Sequence, residues 1–328
     1  MATHILIRSR RTELAWAVAR WAALLAVPGL VAWLLLSPDA ALAALWYVAI
    51  PVLPATFFVN TALWRGVCPL ATLNELGNRI GTQREIPARV AGALGVVGLA
   101  LFHLLVPARR FLFNTEAPAL IGAVAGVGVL AVALGAVYAV RSGFCNGLCP
   151  VLPVELLYGQ APLVPIARGR CSSCAVCTPR ACLDLAQARA PVQALGPSRR
   201  SAAWLLTPFG AFAAGLPGFI VGYSLTPDGP LSTAPAVYAA TLGGSLASFL
   251  AVAVVVAGVG LTTGVALPGL GAAAGGLYYW FAGPAIAGRF SASASVATGI
   301  RAVGLALVAA WLATTLWRSR PQVRLRRS

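Results

Sequence analysis

Long apolar runs separated by short arginine-bearing segments dominate the chain. Eight of them, roughly 14–36, 41–63, 90–107, 117–140, 202–225, 236–260, 263–284 and 296–317, are long enough, or nearly so, for a hydrocarbon core that takes about 20 helical residues. The first and last contain Arg20 and Arg301, each close enough to an end to snorkel to the interface. The pattern predicts an all-α polytopic membrane protein with about eight transmembrane helices. Composition agrees: of 328 residues 59% are hydrophobic and 10% charged, with a mean hydropathy of +0.84. A soluble chain of this length could not keep so much apolar surface from water.

Charge orients the spans. The net charge is +16 and every basic residue is Arg. Nucleic-acid binding is excluded as the reading, because the charges flank spans and form no patch with interleaved aromatics. Arg8, Arg10 and Arg11 precede the first span, and Arg65, Arg79, Arg84 and Arg89 follow the second. Arg141, Arg168, Arg170, Arg180, Arg189, Arg199 and Arg200 follow the fourth, and Arg318, Arg320, Arg324, Arg326 and Arg327 follow the eighth. With eight spans all four groups share one side, which the positive-inside rule makes cytoplasmic. The expected location is the bacterial inner (cytoplasmic) membrane, multi-pass, with both termini cytoplasmic and no cleavable signal peptide. Arg109, Arg110 and Arg289 are the exceptions on the other side. The basic tail is expected to rest on anionic lipid head groups.

Chemistry concentrates in cysteine. Six of the seven lie between residues 142 and 200, in a loop on the reducing side of the membrane, where metal binding explains them better than disulfides. Residues 171–182 read CSSCAVCTPRAC, so Cys171, Cys174 and Cys177 stand at successive two-residue gaps. That spacing reaches three corners of one iron–sulfur cube from a single loop. Cys182 follows after four residues and is the candidate fourth ligand of a [4Fe–4S] cluster; Cys149, which precedes Pro150 as a fourth ligand commonly does, competes for the place. Structural zinc favours paired knuckles over this tripled spacing. A second constellation is Cys145-x3-Cys149-Pro150, whose two thiols share a face if the fourth span continues as a helix. With Cys68 they are candidates for a second iron–sulfur site or alternative ligands to the first.

The first half looks duplicated. Gly66-Val67-Cys68-Pro69 and Gly147-Leu148-Cys149-Pro150 each follow a two-span unit, and each is followed by a glutamate, Glu75 or Glu155. Trp64 stands where the repeat would put a counterpart of Cys145. The expected organisation is a four-helix membrane half with a Cys-Pro loop (1–141), a cytoplasmic iron–sulfur loop (142–200) with a short helix near 181–190, and a second four-helix half with a basic tail (201–328). The glycines Gly264, Gly269, Gly271, Gly275 and Gly276 are assigned to helix packing.

The spans, the Cys-x3-Cys-Pro at a helix end and the Cys-x2-Cys-x2-Cys resemble the NosR/NapH-type membrane polyferredoxins over roughly residues 40–185. The resemblance implies electron transfer between membrane quinol and a respiratory enzyme. It implies Cys171, Cys174, Cys177 and Cys182 as cluster ligands, and Cys68, Cys145 and Cys149 as the Cys-Pro elements. The chain departs from that family in having one cluster run and an incomplete first motif, and its residues beyond 200 lie outside the likeness.

Other candidates are weighed against plainer roles. His103 could meet a quinone head group but more simply bonds a backbone carbonyl; no second intramembrane histidine exists for a bis-His haem. Glu75 and Glu155 could relay protons, or cap helices and pair with arginine. The expected function is a membrane-bound electron-transfer protein, a subunit more than a stand-alone enzyme, with lipid and a redox partner protein or larger respiratory or photosynthetic complex around it and quinone as a candidate reactant. The alternative is a structural or assembly subunit in which the cluster is a staple.

Overall fold

The computed structural model describes residues 10–164, 166, 183, 187, 190–195 and 202–319. Cys171, Cys174, Cys177 and Cys182 lie outside them. The described chain is helical, with α1 (Arg10–Leu36), α2 (Pro38–Ala44), α3 (Ile50–Val67), α4 (Pro69–Ile80), α5 (Ala88–Ala108) and α6 (Ala117–Val137). There follow α7 (Leu152–Tyr158), α8 (Ala190–Ala194), α9 (Pro208–Leu225), α10 (Ala234–Val259), α11 (Thr263–Arg289) and α12 (Ala294–Ser319). Three π-helical turns, Leu45–Ala49, Arg109–Phe113 and Phe144–Leu148, join or extend these helices. No strand forms among the described residues; one backbone bridge, Arg84 with Tyr138, ties the turn after α4 to the end of α6.

Helix ends follow local chemistry. Proline occupies the first turn of α2, α4, α7, α9 and α10, where its missing N–H costs nothing. The Thr207 hydroxyl accepts from the Gly210 N–H at 3.1 Å and caps α9. Gly260, at φ +67°, closes α10 in the left-handed conformation.

Seven helical segments are long and apolar enough to cross a membrane: Glu13–Leu36, Pro38–Val67, Ala88–Phe113, Ala117–Val137, Pro208–Leu225, Leu231–Val259 and Ala294–Arg318. The seventh expected span, 263–284, forms as α11, 27 residues long, but its glycines, prolines and tyrosines leave it less apolar than the other seven. It is packed against α9 and α12 instead. The second span is broken: Asn60 adopts an extended backbone (φ −172°, ψ 124°) inside α3.

α9 is the most enclosed span, 61% buried in its apolar window against 6–22% for the others. Around it runs the largest core cluster, which draws Phe57, Phe58 and Leu157 from the first half together with Trp204, Phe212, Leu267 and Trp311 from the second. α9 and α10 meet through small residues. A Cβ on Gly218 would come 2.0 Å from the Gly244 carbonyl oxygen, and one on Gly222 2.2 Å from that of Ala240. With no apolar driving force between helices in lipid, this close backbone approach is the attraction itself. Gly218→Val should therefore separate the hairpin and cost at least about 1–3 kcal/mol, read as lowered thermal stability in detergent; an unchanged melting profile would refute the contact. In α11, Gly271 and Gly275 pack as expected against Trp311 and Phe58, whereas Gly264 and Gly269 face open space.

Candidate functional site

Both Cys-Pro sequences break the helix in the same way. Cys68 has φ −53°, ψ 123° and Cys149 φ −56°, ψ 119°, the extended conformation that a following proline imposes. Each cysteine carbonyl then accepts the N–H that starts the next helix, Thr72 onto Cys68 and Leu152 onto Cys149, both at 3.1 Å. The repeat differs by one residue of winding. The Cys68 N–H donates to Trp64 four residues back, the Cys149 N–H to Phe144 five back, through the π turn. The fourth span thus does not continue through Cys145 and Cys149 as an α-helix. α6 stops at Val137, because Val140 turns the chain at φ +55° with its carbonyl held by Asn78 Nδ2 at 2.8 Å. For a β-branched residue that is a strained conformation.

The turn aims Arg141 inward, where the two repeats exchange charges. Arg65 of the first repeat donates to Glu155 of the second at 2.6 Å and to Asn146 Oδ1 at 2.7 Å. Arg141 of the second donates to Glu75 of the first at 2.5 Å and to the Arg65 carbonyl at 2.9 Å. Arg20 reaches the other Glu75 oxygen at 3.3 Å. The expectation that Arg20 snorkels is corrected: its side chain is 11% exposed and turned onto Glu75, since a carboxylate within reach holds the guanidinium better than a long climb to the interface. The glutamates pair with arginine, the plainer of the two roles foreseen for them. His103 likewise bonds the Leu99 carbonyl through Nδ1 at 2.9 Å and packs among Phe102, Phe212 and Phe219.

Cys68, Cys145 and Cys149 come together in one apolar cluster with Ala71, Phe144 and Leu148, and all three are free thiols. Burial pushes Cys145 up to about 12 and Cys149 well above the ordinary thiol range, and it raises Cys68. Glu155 adds to the rise at all three, while the Leu70 and Ala71 N–H groups at the start of α4 pull Cys68 partly back. These are neutral, protected thiols. Maleimide at pH 7.5 should leave the buried Cys145 unmodified in the folded protein and label it after unfolding, as peptide mass mapping would read; rapid labelling of the folded state would contradict this burial. Among the described residues no three His, Cys, Asp or Glu side chains share a metal-ligand sphere. The trio is therefore gathered but not arranged as a cage.

Described residues on either side of the four other cysteines pack onto α3 and the core. Leu163 and Val164 donate backbone N–H groups to the Phe58 and Val59 carbonyls at 3.3 and 3.1 Å. Asn60 Nδ2 donates to the Val164 carbonyl at 2.8 Å, and Gln187 Nε2 donates to Asn60 Oδ1 at 2.9 Å. Leu183 and Leu195 are fully buried. Residues 164 and 187 thus both meet Asn60, whose Oδ1 also caps the restart of α3 at the Ala62 N–H. Sequence reasoning passed over Asn60, though a lone amide inside an apolar span was the available signal. Asn60→Leu should remove three hydrogen bonds, of which the one from the Ala62 N–H is buried, and lower stability by about 1–3 kcal/mol, measured by thermal unfolding; a neutral outcome would show the clip to be dispensable. Of the expected short helix near 181–190, the described residues include Leu183, Gln187 and Ala190, and helix forms over Ala190–Ala194.

Beside this site, a half-open cleft of about 90 Å³ separates α1 from α4, lined by Arg20, Trp21, Leu24, Glu75, Leu76 and Arg79 among others. No family model, curated protein or solved structure matches this chain.

Proposed function

We propose that this chain is a membrane-bound iron–sulfur electron-transfer protein of the NosR/NapH type. The observation that carries the reading is the spacing of Cys171, Cys174, Cys177 and Cys182 on a polytopic membrane chain. Four thiolates are the donor set a cubane [4Fe–4S] cluster takes, so the residue chemistry fits the group. When bound, the cluster supplies one-electron redox chemistry. The chain's own contribution is to hold and shield it. Asn60 meets Val164 and Gln187 on either side of the cysteine run, and the arginine-rich surroundings favour a more negative, reduced centre and an acidic redox partner. The side bearing the Cys-Pro turns is cytoplasmic on the arginine distribution.

The cleft between α1 and α4 supports quinone as the membrane-side reactant. Trp21, Leu24 and Leu76 offer apolar walls to a ring, while Arg20 and Glu75 offer a donor and an acceptor at its rim. Cys68, Cys145 and Cys149, lacking a shared ligand sphere, are not assigned a second cluster.

Iron and acid-labile sulfide per purified chain, with the EPR spectrum of the reduced sample, test the reading. About four irons support one cubane, and about eight would promote the Cys68, Cys145 and Cys149 trio to a second. Zinc in place of iron would end it. A cluster present but incapable of reversible reduction would favour the assembly-subunit role.

A further inference from the structure

At the opposite end of α6 from the Cys-Pro turns, two arginines stand against the charge pattern of the whole chain. Arg109 and Arg110 sit in the π turn between α5 and α6, on the side whose connecting segments hold only one further arginine among the described residues, Arg289. Arg110 is accounted for. It donates to Asp228 Oδ1 at 2.8 Å and to the Tyr223 carbonyl at 3.0 Å, with its guanidinium 4.4 Å above the Tyr223 ring. Asn114 Nδ2 donates to the other Asp228 oxygen.

Arg109 is not. Among the described residues it meets no carboxylate. It donates to the Tyr223 hydroxyl at 2.8 Å and lies 4.8 Å from the Trp46 ring and 5.2 Å from that of Tyr47. Of the two guanidinium groups around Tyr223 only that of Arg110 meets a carboxylate, which leaves Arg109 as a surplus positive charge among aromatic faces that offset only part of its desolvation. Three N–H donors in this cluster, Trp46 Nε1, Arg109 Nε and Arg110 Nε, are buried and have no acceptor. Buried donors are nearly always satisfied, and three orphans beside an uncompensated cation describe a place where anionic oxygen belongs.

We propose that the Trp46, Arg109 and Arg110 cluster binds a phosphate-type oxyanion. Guanidinium groups suit such a ligand because each presents several N–H donors in a rigid plane, and the indole N–H adds a neutral donor beside them. The oxyanion comes either from a phospholipid head group of the adjacent leaflet, where tryptophan and tyrosine belts sit, or from free inorganic phosphate. The proposal is independent of the iron–sulfur reading.

Two assays on the full chain, delipidated in mild detergent, test it and separate the sources. Native mass spectrometry with added phosphatidylglycerol should find one retained lipid that Arg109→Gln loses, with apparent affinity falling about ten- to hundred-fold. Thermal unfolding with inorganic phosphate should instead show stabilisation of the wild type but not the variant if the ligand is the free ion. Trp46→Phe keeps the aromatic face and deletes only the N–H, so it should weaken binding roughly two- to ten-fold, and it carries the test should Arg109→Gln fail to fold. If neither probe distinguishes wild type from both variants, water satisfies these donors and the proposal is overturned.

Discussion

On the proposed iron–sulfur reading, Cys174→Ser should abolish the low-temperature EPR signal of the reduced protein. The substitution is close to isosteric, so packing is barely disturbed. What changes is the donor: a serine hydroxyl does not ionise at neutral pH as a thiol near a metal does, and the thiolate is the ligand. Cys174 is the middle member of the Cys171, Cys174, Cys177 triplet, so no neighbour in that spacing can replace it without moving both others. Iron per chain should fall together with the signal, and an unchanged signal would strike Cys174 from the ligand set. The same measurement on Cys182→Ser and Cys149→Ser decides the fourth ligand, because only the true one repeats the loss. Cys149 has its surroundings against it: its partly buried thiol lies in the cluster with Cys68 and Cys145, raised well above the ordinary range.

Glu155→Gln destabilises the protein by about 3–5 kcal/mol. The Arg65 and Glu155 side chains are only 4% and 3% exposed and meet at 2.6 Å. Removing one charge takes from the desolvated Arg65 guanidinium its 2.6 Å carboxylate contact, and weakening the compensation of a buried charge is costly. Chemical or thermal unfolding in detergent reads the loss. The double variant Arg65→Met, Glu155→Leu should recover most of it, since two apolar side chains remove the need for pairing altogether. A Glu155→Gln protein as stable as the wild type would mean that water reaches this pair and screens it. The more open pair of Arg110 with Asp228, 15% and 33% exposed, should yield well under half as large an effect.

The contrast between those two pairs shows what could be read along the chain. The membrane demands long apolar helices, so the spans announced themselves, and seven of the eight expected stretches formed helices of spanning length and apolarity. The duplicated Cys-Pro was legible because proline acts on its immediate neighbour and fixes Cys68 and Cys149 alike. α11 was legible as a helix but less so as a lipid-facing span, because its Gly271, Gly275 and Tyr279 answer to Phe58, Trp311 and Gly304 on other elements. Arg20 was misread for the same reason: its partner Glu75 is 55 residues away.

Composition, the reach of single residues and the spacing of cysteines determined the class of molecule, its helical segments and its candidate metal ligands. These are properties of short windows, set by the thickness of a bilayer, the ring of proline and the span of a tight loop. Tertiary structure alone decided that Arg65 would meet Glu155 across 90 residues, that Asn60 would meet both Val164 and Gln187, and that Arg109 would lie against Trp46 and Tyr223. Each of those is a choice among many distant partners. Burial makes the choice by penalising every polar group left without one.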